Sequence, residues 1–353
     1  MTHFKLGSKI ISETSQPYFI AEVGVNYEND INRAKKIIKL AKEGGADAVK
    51  FQSYKAETIA CKESPYYWDL KEVPIKSQYE LFKKFDKFGF KEFKILKRYC
   101  DKIGIDFLST PFDLDAVDYL DKLVPFFKIA SADINNYPLI EKICSKNKPI
   151  VLSTGASNFS EIKKTVKFIR KKNKKIKLII LHCVLSYPTK NVDAHLEWIK
   201  FLKNQFKTNI IGYSDHTLPD NNMIILTSAF LNGAKVIEKH FSDVKGKKGN
   251  DHFHSLDKKD LLIFRKNVEI LNQINGNKKI RKTLECEKKS KLNARRSIVT
   301  KIKIKKGSKL TKNNLIMKRP GTGISPENIN KILGRKAARD LNEDSILKKY
   351  DFI

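Results

Sequence analysis

Two histidines at the ends of apolar runs are the first residues in this chain whose type and placement suggest chemistry. His216 lies in Gly212-Tyr213-Ser214-Asp215-His216-Thr217, directly after the apolar run of residues 209–211. Leu218-Pro219-Asp220 then reads as a turn into a helix beginning near residue 222. His240 closes the next apolar run, Lys235-Val236-Ile237-Glu238-Lys239-His240. As neighbouring parallel strands these runs would lie roughly 5 Å apart, and their ends could converge on one ion. Other polar residues recur at the same kind of position: Glu22, Lys50 with Gln52, Thr110, Lys128 with Ser131, Ser153, His182 and Glu238 all stand at or just past the end of an apolar run.

A strand-then-helix rhythm positions these residues. Strands are predicted at 18–22, 48–52, 105–110, 126–131, 149–154 and 176–183, followed by the two runs that end at His216 and His240. Helices are predicted at 31–42, 91–103, 113–123, 139–146, 160–171, 195–204, 222–232 and 258–271. In the first, Ile31, Ala34, Ile37, Ile38 and Ala41 fall at helical spacing, and Gly44-Gly45 ends the run. An aromatic-rich insertion covers 65–79. Eight strand–helix units in about 275 residues predict an α/β fold of the (β/α)8 TIM-barrel type. A doubly wound sheet would ordinarily open with a glycine-rich turn, and Glu22-Val23-Gly24-Val25-Asn26 is not a dinucleotide fingerprint. A barrel gathers its strand ends on one face, so the polar residues above would meet there.

The pattern changes after the barrel. Residues 1–275 read as the barrel, 276–291 as a charged linker, and 292–353 as a small, mainly β domain. Short strands are expected at 295–299, 302–304 and 315–317, with a helical stretch at 326–333. So small a domain has a modest core and is suited to lean on a partner surface.

Composition indicates a soluble globular protein of the cytoplasm. Of 353 residues, 41% are hydrophobic, and no apolar run approaches the roughly 20 residues that span a bilayer. The N-terminus lacks the apolar core of a signal peptide. Five cysteines without paired spacing read as reduced thiols. The net charge of +31 invites a nucleic-acid reading. Most of the excess is lysine on helix faces, as in Lys163-Lys164 and Lys171-Lys172, with no arginine stripe interleaved with aromatics. A solvated basic surface is expected, with neither nucleic acid nor membrane as partner.

Ten or more ordered motifs make the chain resemble the sialic acid (nonulosonate) synthase family, a TIM barrel joined to a C-terminal antifreeze-like, or SAF, domain. Among them are Ile20-Ala21-Glu22-Val23-Gly24-Val25-Asn26, Lys50-Phe51-Gln52, Ser109-Thr110-Pro111-Phe112-Asp113, Lys128-Ile129-Ala130-Ser131-Ala132-Asp133, Ser153-Thr154-Gly155 and Tyr187-Pro188-Thr189. The series continues through the His216 and His240 motifs, Gly249-Asn250-Asp251-His252, Arg295-Arg296-Ser297-Ile298-Val299 and Lys318-Arg319-Pro320-Gly321-Thr322-Gly323.

The resemblance implies condensation of phosphoenolpyruvate with an N-acylated hexosamine such as N-acetylmannosamine, giving a nine-carbon 2-keto acid and phosphate. It implies a divalent metal, Mn²⁺, Mg²⁺ or Co²⁺, on His216 and His240 to polarise the sugar aldehyde. Lys50 and Lys128 match anion-binding lysines, and a buried strand lysine is costly without an anionic partner. Thr110, Ser131, Ser153 and Ser214 match hydroxyl donors to phosphoenolpyruvate, and Asp215 is expected to hold the loop. Glu22 matches the group that orients or deprotonates water. Gln52, Tyr187 and Asp251 match sugar-holding positions, with Glu238 beside the metal or sugar. Arg319 matches an arginine that the SAF domain projects into the partner's site of a domain-swapped homodimer.

Asp133 departs from the glutamate of many members, and Leu185 stands where some place an amide, so the sugar is the open question. N-acetylneuraminate synthesis is the default, and legionaminate or pseudaminate synthesis the alternative. A non-catalytic sugar-binding descendant would be expected to lack one of the paired histidines or lysines, and both pairs are present. His182, His252 and His254 receive no role.

Overall fold

The computed structural model describes residues 3–276 and 281–353. They form two compact units, Met1–Asn275 and Gly276–Ile353.

The first unit opens with an antiparallel hairpin, β1 (His3–Leu6) and β2 (Lys9–Ser12). Eight parallel strands follow: β3 (Tyr18–Gly24), β4 (Ala48–Ser53), β5 (Asp106–Pro111), β6 (Phe127–Ile129), β7 (Ile150–Ser153), β8 (Leu178–Cys183), β9 (Ile210–Asp215) and β10 (Val236–His240). Their order is β5-β4-β3-β10-β9-β8-β7-β6, and the outer pair, β5 and β6, lie against each other, which closes the barrel. Strands β3, β7, β8, β9 and β10 are buried at every position. That two-sided burial is why they read as apolar runs rather than as alternating ones.

The helices occupy the gaps: α1 (Ile31–Glu43), α2 (Ala56–Ile59), α3 (Gln78–Phe85), α4 (Phe90–Ile103), α5 (Leu114–Asp121), α6 (Tyr137–Ser145), α7 (Phe159–Lys172), α8 (Glu197–Gln205), α9 (Ile224–Leu231) and α10 (Lys258–Asn275). Helix α1 buries Ala34, Ile37, Ile38 and Ala41, and the Asp30 carboxylate caps it by accepting from the amides of Asn32 and Arg33. Sequence periodicity missed α2 and α3, which flank the aromatic insertion. Strand β6 is shorter than the expected 126–131, because the chain enters a 3-10 turn at Ser131–Asp133. Helix α9 starts two residues later than expected, where the Asp220 carboxylate accepts from the Ile224 amide at 2.9 Å.

The second unit includes a 3-10 turn (Glu285–Glu287) and α11 (Lys288–Ala294), both overlapping the stretch read as linker. Strands β11 (Ser297–Thr300) and β12 (Leu315–Lys318) pair antiparallel. Residues 302–304 form no strand; Ile304 makes only a single bridge to Leu341. A short helix, α12 (Ile329–Ile332), follows a 3-10 turn. Ile298, Ile304, Leu310, Leu315, Ile332, Leu341 and Leu347 form this unit's own core. Among the described residues no helix is long and apolar enough to cross a membrane.

Candidate active site

Strand alternation decides which side chains reach the barrel mouth. In register, Glu238 of β10 stands beside Ser214 of β9, His240 beside Glu22 of β3, and Glu22 beside Lys50 of β4. These residues share one cavity of about 480 Å³ with Gln52, Thr110, Lys128, Ser131, Asp133, Ser153, Tyr187 and His216. The intervening Asp215 and Lys239 are not part of its lining. A cavity of this size is in the range that encloses small ligands.

One side of the cavity is ionic. The Lys50 ammonium lies 2.5 Å from Glu22 Oε2 and 3.6 Å from Glu238 Oε1, and donates to Thr110 Oγ1 at 3.0 Å. Lys128 is less well paired, 3.6 Å from Glu238 Oε1, with its other contact the Ile129 carbonyl at 3.2 Å. Burial opposes both charges. At Lys50 the two carboxylates more than offset it and raise the pKa. At Lys128 burial prevails over Glu238 and the pKa falls. Burial also pushes Glu22 up against the pull of Lys50. For Glu238, burial is overcome by Lys128 and Lys50, which hold its carboxyl low. Glu238 Oε2 and Ser153 Oγ are buried without a hydrogen-bond partner.

The other side is aromatic and imidazole-rich. The rings of His216 and His240 lie 5.6 Å apart, and Tyr187 packs 4.3 Å from His216. His216 Nδ1 is 2.8 Å from the Val184 carbonyl, which leaves Nε2 for a ligand. His240 Nδ1 lies 3.3 Å from Asp251 Oδ2 yet makes no hydrogen bond. Burial works against the Asp251 charge, but His240, His254 and His216 hold its carboxyl below the usual range. An imidazole nitrogen paired so loosely is costly to bury, and a cation beside it and the Asp251 carboxylate would satisfy both. The donor set therefore fits a divalent metal.

His254, to which the sequence assigned no role, belongs to this side. Its ring centre is 4.6 Å from that of His240, and neither ring nitrogen has a hydrogen-bond partner. The other two unassigned histidines are satisfied elsewhere. His182 Nε2 meets the Ala194 carbonyl at 2.8 Å, and His252 bridges Ser242 at 2.6 Å and Glu28 at 3.3 Å. Beside Gln52, Tyr187 and Asp251 a second recess of about 100 Å³ is lined by Tyr54, Trp68, Phe82, Phe85 and Phe253. Arg319 is an exposed residue of the second unit.

With this geometry in hand, comparison with known proteins gives the lineage. Residues 37–280 match the NeuB family and residues 295–353 the SAF domain. A curated but uncharacterized protein of Methanocaldococcus jannaschii is 41% identical over 100% of this chain and 99% of its own length. The N,N'-diacetyllegionaminic acid synthase of Campylobacter jejuni is 38% identical over 94% of this chain and 98% of that protein. Among solved structures, the N-acetylneuraminic acid synthetase of Leptospira borgpetersenii, in complex with citrate, superposes with a TM-score of 0.72. That pair is 33% identical and covers 82% of this chain and 95% of that one. The chain belongs to the NeuB family, the sialic acid and nonulosonic acid synthases. It is an enzyme whose barrel is followed in sequence by a SAF domain.

Proposed function

We propose that the barrel, residues 1–275, condenses phosphoenolpyruvate with an N-acylated hexosamine and water to give a nine-carbon 2-keto acid and phosphate, in the manner of an N-acetylneuraminate synthase. The observation that carries this reading is one cavity with two buried lysines on one wall and the neighbouring imidazoles of His216 and His240 on the other.

Lys50 and Lys128 receive the phosphate and carboxylate of phosphoenolpyruvate, and the hydroxyls of Thr110, Ser131, Ser153 and Ser214 donate to them. Lys128, the cation without a close carboxylate, gains most from an arriving anion. Gln52, Asp133, Tyr187 and Asp251 hold the sugar's hydroxyl and acyl groups. Glu22 takes the proton of the water that adds at C2. Its raised pKa suits a base, and Gln52 orients it through Oε1 at 3.1 Å. His216 and His240 would hold a divalent metal, which when bound would supply Lewis-acid polarisation of the sugar aldehyde. The SAF domain, residues 292–353, contributes Arg319 to the site of the other protomer in a domain-swapped homodimer, where its guanidinium donates to the N-acyl carbonyl. Five free cysteines support action in the cytoplasm.

A second reading of the sugar, an N,N'-diacylated hexose, is favoured by the aromatic recess beside Gln52 and Asp251, whose apolar walls suit an acyl methyl group. The 38% identity to a diacetyllegionaminic acid synthase points the same way. Phosphate release from phosphoenolpyruvate, followed with purified protein, divalent metal and each sugar in turn, tests both readings. Release is expected with at least one N-acylated hexosamine. Absence of release with every sugar overturns the enzyme assignment at this site.

A further inference from the structure

We infer that His254 is a third imidazole ligand of the metal beside His216 and His240, and that one oxygen of Asp251 is a fourth donor, which leaves the other Asp251 oxygen to the sugar and the remaining coordination positions to water and substrate oxygens. The inference rests on the proposal that a metal binds at the barrel mouth, and adds to it the composition of the site.

The local fold delivers His254 by two devices. Residues Asn250–His254 form a 3-10 turn, in which side chains three apart eclipse one another. Asp251 and His254 therefore share one face, while His252 turns to Ser242 and Glu28. The exit of the turn is pinned to the end of β10, with the Leu256 amide donating to the His240 carbonyl at 2.8 Å and Phe241 bridging Leu256 in parallel. Asn26 secures the same seam by donating to the Phe241 carbonyl and to Ser255 Oγ, both at 3.1 Å.

The result is a cluster in which one ligand atom each from His240, Asp251 and His254 all lie within 4.8 Å of one another. One bound cation can bring such atoms to coordination distance. His254 is fully buried at 0% exposure, with both ring nitrogens unpartnered. A core histidine serving only to pack would be expected to bond at least one of them, as His182 and His252 do. The ring of His216, outside that grouping, lies 6.2 Å from the ring of His254 and 5.6 Å from that of His240. A shell of three imidazoles and one carboxylate selects borderline cations such as Co²⁺, Zn²⁺ or Fe²⁺ over Mg²⁺, whereas two imidazoles completed by water and substrate oxygens discriminate less.

Co²⁺ is the probe. Metal-stripped protein is titrated with Co²⁺ by equilibrium dialysis, as wild type, His254→Ala, His254→Gln and His240→Ala. X-ray absorption of Co²⁺-loaded wild type separately counts the imidazoles. The expected results are three imidazoles at the metal, a loss of affinity in both His254 variants beyond the about 100-fold that removing an outer-shell partner costs, and no displacement of Co²⁺ by excess Mg²⁺. Two imidazoles by absorption, or a wild-type-like affinity in the His254 variants while His240→Ala loses binding, overturns the inference and leaves the two-histidine metal site standing. Wild type that binds no Co²⁺ overturns both. The absorption measurement needs no variant, so poor folding of one does not shield the inference.

Discussion

The barrel strands carry two sets of buried charges, one of them on β9 and β10 and turned away from the cavity, the other lining it, and the two are built on opposite terms. Facing the helices, Asp215 and Lys239 are each 1% exposed and saturated with partners. The ammonium meets Asp215 Oδ2 at 2.5 Å and the Thr217 carbonyl at 2.7 Å. The carboxylate also accepts from the Tyr213 hydroxyl, the Thr217 amide and the Thr217 hydroxyl. Facing the cavity, Lys50, Lys128, Glu22 and Glu238 are also buried; Lys50 is tightly paired with Glu22, but Glu238 Oε2 is unpartnered and Lys128 comes no closer than 3.6 Å to a carboxylate. The saturated pair fixes the loop that presents His216. The incomplete set is left with bonding capacity for a ligand. Burial of charge alone therefore does not mark a site; burial with unmet partners beside a cavity does.

The largest expected effect tests the saturated side. Lys239→Met leaves the Asp215 carboxylate buried without its cation, which should cost about 3–5 kcal/mol in the barrel's unfolding free energy, measured by urea denaturation. Almost as large is the effect expected on the incomplete side, but on activity. Lys128→Met should lower kcat/KM for phosphoenolpyruvate by about 10²–10³-fold. Glu238 keeps Lys50 at 3.6 Å when Lys128 is removed, so the barrel should lose clearly less stability than in Lys239→Met. If Lys128→Met destabilises as much as Lys239→Met, the two sets do not differ in kind and the comparison fails.

The same contrast explains what could be read from the sequence. Strand ends were legible because burial on both faces leaves apolar runs, and the polar residue closing each run stands out, as Glu22, Lys128 and His240 do. Lys239 carried no such signal: between Glu238 and His240 it was one more residue of the run, and only the alternation observed in the barrel separates it from the cavity. Asp215 was expected to hold its loop, and its bonds to Thr217 are of that kind; its buried ammonium partner was not foreseen. His254 was out of reach for a different reason. Its place depends on a 3-10 turn and on a bridge between residues 241 and 256, neither of which has a periodic pattern in the chain. The aromatic recess draws on the insertion and on α3, where helical spacing was too short to read.

The smallest expected effect is a pH dependence of the first. In wild type, burial opposes the Asp215 charge, but Lys239 outweighs it and holds the folded-state pKa below the usual carboxylate value. A depressed folded pKa gives stability that is present above the unfolded value near 3.9 and lost as pH falls through the folded one. In Lys239→Met burial acts unopposed by the ammonium, so the folded pKa should rise above the unfolded value. Protonation then relieves the variant as pH falls through that raised value, while wild type gains nothing in the same interval. The stability gap between the two proteins should therefore narrow as pH is lowered from 7 toward 4, measured by urea denaturation at each pH. A gap that stays constant would mean that the variant has lost packing around residue 239 rather than the partner of a buried carboxylate.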